Sequence, residues 1–187
     1  MPSSAANGNL SVTPLIRPAT RADWQEIVRL SVDAFGASAW PWKRWRELLN
    51  SPPPQTDDQP VQALALVAPA ATPAALTGPG LAGYVALQMI HGEVEIQALT
   101  VAQTVRRQGW GTQLIEAACA RARTAHCHTA LLEVRLGNLA AQAFYGQQGF
   151  VVCGRRPRYY HSPPEDALLM RKSLLAPPTD ATGADAT

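Results

Sequence analysis

The sequence predicts an α/β fold in which a mixed sheet carries helices on both faces. Two observations carry that expectation. Strand-like apolar runs alternate along the chain with segments whose apolar residues recur at helical spacing. In addition, Arg106-Arg107-Gln108-Gly109-Trp110-Gly111 stands between a strand-like run, Val94 to Val101, and a helical one, Thr112 to Ala125. At 187 residues, 47% of them apolar, the chain suits one domain with a sizeable core.

Residues 1–13 are polar and small and predict a disordered tail, as do residues 176–187, which leaves the domain at 14–175. It opens with a short strand at Leu15-Ile16-Arg17. Thr20-Arg21-Ala22-Asp23 has capping-box-like spacing and introduces a helix with the apolar face Trp24, Ile27, Val28, Ala34 and Phe35. A second short helix begins near Pro41, a favourable first-turn position, and runs through Trp42, Trp45, Leu48 and Leu49. Ser51-Pro52-Pro53-Pro54 ends it, since proline lacks the donor and clashes with the preceding turn.

Strands are expected at Val61–Ala68 and Leu81–Ile90, joined by a long, mobile Ala/Pro/Gly-rich connection, Pro69 to Gly80. His91-Gly92-Glu93 supplies a tight turn into the Val94 to Val101 strand. After the arginine–glycine loop and its helix come a strand, Ala130 to Arg135, and a helix from Asn138, whose side chain suits an N-cap. Gly149 stops that helix at the position where φ > 0 is usual, and Val151–Cys153 and Leu168–Lys172 supply the last strands.

Composition excludes several classes of function. A formal charge of +2 is too small to argue for nucleic-acid or membrane binding. No apolar run approaches the ~20 residues of a spanning helix, and the N-terminus lacks a basic-then-apolar signal, so a cytoplasmic protein is expected. Three cysteines, Cys119, Cys127 and Cys153, suit a reducing compartment. His126-Cys127-His128 invites a metal reading, but adjacent residues converge poorly on one tetrahedral ion and no second ligand pair stands nearby. No metal is expected.

The arginine–glycine loop points to a phosphorylated cofactor. A helix start offers unpaired N–H groups and a partial positive charge, and glycines let that backbone approach a ligand. Neither the dinucleotide G-x-G-x-x-G nor the P-loop G-x-x-x-x-G-K-[ST] is present. The spacing Arg-x-x-Gly-x-Gly instead resembles the pyrophosphate loop of the GNAT superfamily of N-acetyltransferases. Leu132-Glu133-Val134-Arg135, Asn138 to Tyr145 and Gln148-Gly149-Phe150 resemble the late strand, helix and turn of the same superfamily. Arg156-Pro157-Arg158-Tyr159-Tyr160 and Glu165 to Met170 resemble one branch of it, the bacterial ribosomal-protein-alanine N-acetyltransferases (RimI-type). The likeness runs from about Leu15 to Leu174.

That resemblance implies a mainly antiparallel central sheet, acetyl-CoA as co-substrate, and direct acetyl transfer in a ternary complex to a protein N-terminus, with a ribosomal protein as the acceptor the branch suggests. It implies cofactor contacts from Leu99, Thr100 and Val101 by their backbone, from Arg106, Arg107, Gln108, Gly109, Trp110, Gly111 and Thr112, and from Asn138. Glu133 matches the family's catalytic glutamate and Tyr145 its proton donor. Both also stand out on physical grounds. Glu133 is a carboxylate in an otherwise apolar strand, which needs a reason, an ion pair with a nearby arginine being the bland one. Tyr145 lies two helical turns beyond Asn138, and its ordinary pKa of ~10 against ~8.5 for a thiol makes full proton transfer to a leaving thiolate mildly uphill.

Trp40-Pro41-Trp42 with Trp45 reads either as core packing or, by the resemblance, as one rim of the acceptor groove. Arg156, Arg158, Tyr159 and Tyr160 read as the opposite rim or as a surface loop. Two alternatives stand beside the N-terminal acceptor: transfer to a lysine side chain or small amine, and a non-catalytic acyl-CoA-binding regulatory module. The sequence does not fix the oligomeric state.

Overall fold

A computed structural model describes residues 15–36, 39–50, 59–67 and 80–175; of the side chains of Trp42, Leu48, Asn50 and 59–67, only the backbone course is described. The tails, the Ser51–Pro54 stop and the Pro69–Pro79 connection lie outside the described residues. Among these residues seven strands form one sheet: β1 (Leu15–Pro18), β2 (Gln59–Val67), β3 (Leu81–Ile90), β4 (Glu93–Val101), β5 (Thr129–Arg135), β6 (Val151–His161) and β7 (Pro164–Ser173). Their order is β1-β2-β3-β4-β5-β7-β6, and every described pairing is antiparallel except that of β4 with β5. Among the described residues four α-helices accompany it: α1 (Trp24–Phe35), α2 (Trp42–Asn50), α3 (Trp110–Thr124) and α4 (Leu139–Gln147).

β3 has the bounds expected, and it is buried from Leu81 to Leu87 without alternation, as a central strand covered on both faces must be. A short 3-10 turn, Arg21–Asp23, precedes α1, and the Asp23 carboxylate accepts from the Thr20 N–H at 2.7 Å and from the Arg17 guanidinium. That pairing holds the Asp23 carboxyl below the usual carboxylate range. The buried face of α1 is Ile27, Leu30 and Ser31, rather than a stripe reaching Ala34 and Phe35, which are exposed. Ala34 and Phe35 fall outside that face because the last turn of α1 overhangs a cleft. α2 inserts Trp45, fully buried, edge-on against Tyr84 with ring centroids 4.9 Å apart.

Two expectations about the C-terminal half need correction. α3 begins at Trp110, two residues before Thr112, because Gly109 at φ +80° serves as its N-cap residue. β6 and β7 are much longer than Val151–Cys153 and Leu168–Lys172, and Arg156 to Tyr160 belong to β6 rather than to a surface loop. The register jumps between Arg156↔Ala167 and Tyr160↔Glu165, so β6 bulges there, with Arg158 at φ +53°. That outward, polar segment lacks the alternation by which strands are recognised.

Candidate active site

The cleft arises from a single topological fact. β4 and β5 pair in parallel from Glu93↔Thr129 to Ile96↔Leu132 and no further, although β4 runs on to Val101 and β5 to Arg135. On its other edge β4 stays paired with β3 up to Val101↔Gly83, so the two inner strands part like a wedge. The parting starts at a β-bulge, since Leu87 faces Ile96 and Ala86 faces Ala98, leaving Gln97 extra. A bulge bends its strand and sharpens the twist. The Gln97 side chain donates to Gln88 Oε1 at 2.6 Å and accepts from Arg44 at 3.1 Å, which ties the bulge to α2.

The wedge opens into a groove of about 500 Å³. One side is built from Gln97, Ala98 and Leu99 of β4, Glu133 of β5, and Asn138 and Tyr145 of α4. Trp40, Tyr84, Tyr159 and Tyr160 line the remainder. Thus both predicted catalytic residues and the rim residues Trp40, Tyr159 and Tyr160 converge on one space, whereas of the predicted cofactor residues only Leu99 and Asn138 line it. Thr100, Val101 and Arg106 border a second, smaller cavity of about 360 Å³ beside α1.

The arginine–glycine loop is held in shape by its own backbone. Gly109 sits at φ +80° and Arg107 at φ +62°, the left-handed region that costs a non-glycine residue roughly 1–2 kcal/mol. Arg106 is fastened: its Nε donates to the Val101 carbonyl at 3.0 Å, tying the loop to the end of β4. Trp110 is buried in the core, so only its backbone is available to a ligand. A Cβ on Gly111 would stand 3.4 Å from the Phe144 ring, so this glycine also sets how closely α3 approaches α4. Thr112 Oγ1 lies 3.3 Å from Gln148 Nε2 at the far end of α4. Arg107 and Gln108 are exposed on the loop.

In β5 the side chains alternate as expected, with Ala130, Leu132 and Val134 buried and Leu131, Glu133 and Arg135 half-buried. Glu133, 11% exposed, has found its arginine: Arg156 Nη1 lies 2.9 Å from Oε1. The Tyr159 phenol lies beside this carboxylate, and the Tyr160 hydroxyl donates to the Glu133 carbonyl at 3.4 Å. Burial, then the Glu133 and Glu95 carboxylates, pushes the Tyr159 phenol up to about 12.

Tyr145 combines a core ring with a groove-lining position. Its ring packs on Phe144 and Phe150 with centroids 5.2 and 5.8 Å away. Burial, with a smaller contribution from Tyr160, pushes its phenol up to about 12. Asn138 caps α4 as expected, its Oδ1 accepting from the Ala141 N–H at 3.1 Å.

Of the tryptophans, Trp40 faces the groove under the Arg44 guanidinium, 3.7 Å above its ring, while Trp45 belongs to the core. The Trp42 side chain lies outside the described residues. Sequence reasoning missed Glu95, Gln97, Tyr84 and Ser31, all of which line the groove. Glu95 carried the same signal as Glu133, a carboxylate alternating with Val94 and Ile96. Tyr84 and Ser31 are hydrogen-bonded to each other although 53 residues apart, which no local pattern reveals.

A sequence profile described as the Acetyltransferase (GNAT) family matches residues 36–150. A Bacillus subtilis (strain 168) protein, provisionally named ribosomal protein bS18-alanine N-acetyltransferase, is 31% identical over 90 residues, which cover 48% of this chain and 60% of that protein's length. The crystal structure of the ribosomal-protein-S18-alanine N-acetyltransferase from Escherichia coli superposes with a TM-score of 0.69 at 21% identity, covering 91% of this chain and 100% of that one. Arabidopsis thaliana NAA60 in complex with acetyl-CoA gives 0.72 at 17% identity, covering 86% and 98%. Both structures share the fold.

Proposed function

The chain belongs to the acetyltransferase (GNAT) family, and on that footing we propose that it moves an acetyl group from acetyl-CoA to the α-amine at a protein N-terminus, by direct transfer in a ternary complex. The observation that carries this reading is the convergence of Glu133 and Tyr145 on the wedge between β4 and β5. A regulatory module needs only a cofactor cradle.

The open edge of β4, Leu99 to Val101, takes the amides of the cofactor's arm as a strand would. The N–H groups at the start of α3, from Gly109 to Thr112, take its pyrophosphate, with Arg106 and Arg107 adding charge and Asn138 a further contact. Trp40 forms one acceptor rim and Arg156, Tyr159 and Tyr160 the other. A ribosomal protein is the acceptor that the named relatives suggest.

Transfer begins with loss of a proton from the ammonium toward Glu133, directly or through water. The neutral nitrogen attacks the thioester carbonyl, and the C–S bond breaks as the amide forms, the nitrogen giving up its second proton to water, from which the departing thiolate is protonated. An α-amine, with a pKa of ~7.7–8.0, is neutral far more often at pH 7 than a lysine at ~10.4, so modest base catalysis suffices. Tyr145 faces the departing sulfur. Its phenol, raised to about 12, lies some ~3.5 units above an ordinary thiol at ~8.5, so complete proton transfer to the thiolate would cost ~5 kcal/mol. Tyr145 therefore acts by donating a hydrogen bond to the developing thiolate.

The experiment is an acetyl-transfer assay with two peptides, one with a free N-terminus and one blocked there but carrying a lysine. Transfer to the free N-terminus alone is expected. Transfer to the lysine peptide alone, or to neither peptide although acetyl-CoA binds, would overturn the acceptor class.

A further inference from the structure

The two sides of the groove are joined by one carboxylate that belongs to neither. Glu165, near the tip of the β6–β7 hairpin, accepts from the Gly137 N–H at 2.6 Å through Oε1 and from Arg135 Nη1 at 2.9 Å through Oε2. Gly137 is the residue before the α4 cap, Asn138. A Cβ there would stand 3.0 Å from Glu165 Oε1, so glycine is what lets the carboxylate reach the backbone.

Arg135 completes the fastening. Its guanidinium donates to the Pro163 and Ser162 carbonyls at 3.2 and 3.1 Å and stacks 4.0 Å from the centre of the Tyr160 ring. The next residue, Asp166, faces the other way. Its carboxylate accepts from the Arg158 N–H at 2.8 Å and pairs with Arg155, which fixes the bulge carrying Tyr159. The backbone just before the α4 cap is therefore tied to Glu165, and the adjoining Asp166 ties the same strand to the bulge that carries the tyrosine wall.

We propose that Glu165 is a positioning residue that couples the two substrate sites, so that a cofactor settling on Asn138 and α4 orders the Tyr159–Tyr160 wall before the acceptor arrives. This rests on the donor-site assignment made above. Two groups tied by charge-assisted hydrogen bonds share their ordering, and whatever restrains one lowers the entropy that the other has left to lose. The link is reciprocal: an acceptor held by the tyrosine wall tightens the cofactor by the same factor.

The test is hydrogen exchange on the full-length protein with and without CoA, followed in peptides covering 136–145 and 158–167. Calorimetry with CoA and thermal unfolding are run beside it. In the wild type, CoA should slow exchange in both segments, by roughly fivefold or more in the hairpin. In Glu165→Ala it should slow only 136–145. Glu165→Gln, which must turn its amide nitrogen, itself a donor, toward either Gly137 or Arg135, serves as the gentler variant and should lose most of the hairpin effect. The reading is the CoA-dependent difference, which a purely structural role for Glu165 would leave intact. Equal hairpin protection in a folded variant would overturn the coupling. So would a wild-type hairpin indifferent to CoA while 136–145 responds. No calorimetric binding and no protection anywhere would instead remove the donor site, and the coupling with it.

Discussion

Arg156 Nη1 sits 2.9 Å from Glu133 Oε1, so the carboxylate assigned to receive the acceptor's proton is already matched with a cation. The arginine is 56% exposed and the glutamate 11%, which makes the pair a rim contact with one buried end. An incoming ammonium carries the same charge as Arg156 and competes for the same oxygens.

Glu133→Gln should bind acetyl-CoA normally and lose turnover by roughly 10²–10⁴-fold, the range for general-base catalysis. The deficit should narrow as pH rises past the pKa of the acceptor amine. Arg156→Gln separates the ion pair from the base: a half-exposed pair contributes ~0–1 kcal/mol, so stability should barely move and turnover should suffer far less. Initial rates at pH 7 and 9, with denaturant titrations, measure both. Equal losses in the two variants would make the pairing, rather than proton chemistry, the role of Glu133.

Tyr145→Phe keeps the ring against Phe144 and Phe150 and removes only the hydroxyl. Fold and acetyl-CoA affinity should persist while kcat falls by at least roughly tenfold, ~1.4 kcal/mol on the barrier. Because the phenol is raised to about 12, the wild-type kcat should hold level through alkaline pH with no descending limb near 9. A limb there that vanishes in Tyr145→Phe would mean that the hydroxyl titrates far lower and does transfer its proton.

Stability itself should fall in strong base. Burial raises the phenols of Tyr145 and Tyr159 to about 12 from the ordinary 10, and it raises Tyr84 as well. Above pH 10 the unfolded chain gives up these protons while the folded one keeps them, so the native state binds more protons and stability drops as pH rises. Tyr84 and Tyr145 each contribute up to ~1.4 kcal/mol per pH unit in that window, while the exposed Tyr159 contributes far less because solvent screens it. Urea titrations at pH 9, 10 and 11 should show the slope, and Tyr145→Phe should flatten it by up to one proton. An identical slope in the variant would place Tyr145 in water.

Gly109→Val should lose acetyl-CoA binding because φ +80° excludes a branched side chain. Gly111→Val should do so by a different route, by pressing on Phe144, 3.4 Å from where its Cβ would stand. That pressure displaces α4, so Gly111→Val should also lower thermal stability, whereas Gly111→Ala should be milder on both counts. Calorimetry and thermal melts distinguish the two mechanisms. Wild-type affinity in Gly109→Val would move the pyrophosphate away from this loop.

Local chemistry made much of this legible. The Asn138 cap, the Gly149 stop at φ +83° and the unbroken apolar run of β3 are each decided by residues close in sequence. Glu133 could be read because a carboxylate in an apolar strand needs a partner, although which arginine supplied it could not. What stayed hidden depends on register. The Gln97 bulge exists only relative to β3, and the parting of β4 from β5 only relative to where their pairing stops. The extension of β6 beyond Cys153 escaped because its residues face outward and its bulge destroys the alternation. Glu165 and Arg135 are 30 residues apart, and neither looks unusual beside its own neighbours.

Between Ile96↔Leu132 and the strand ends, the sheet is interrupted at its middle rather than its margin. Four register pairs, Glu93↔Thr129 to Ile96↔Leu132, are the whole of the β4–β5 seam joining the β1–β4 half of the sheet to the β5–β7 half. An arm laid along the open edge of β4 with its head on α3 would act as a splint across that seam, carrying load that elsewhere falls to a ladder of backbone hydrogen bonds. The cofactor then belongs to the architecture as well as to the chemistry: at a hundred times its Kd it would add ~2.7 kcal/mol to the cost of unfolding. The two halves should separate first in its absence, and breakage should begin at the seam where catalysis is placed.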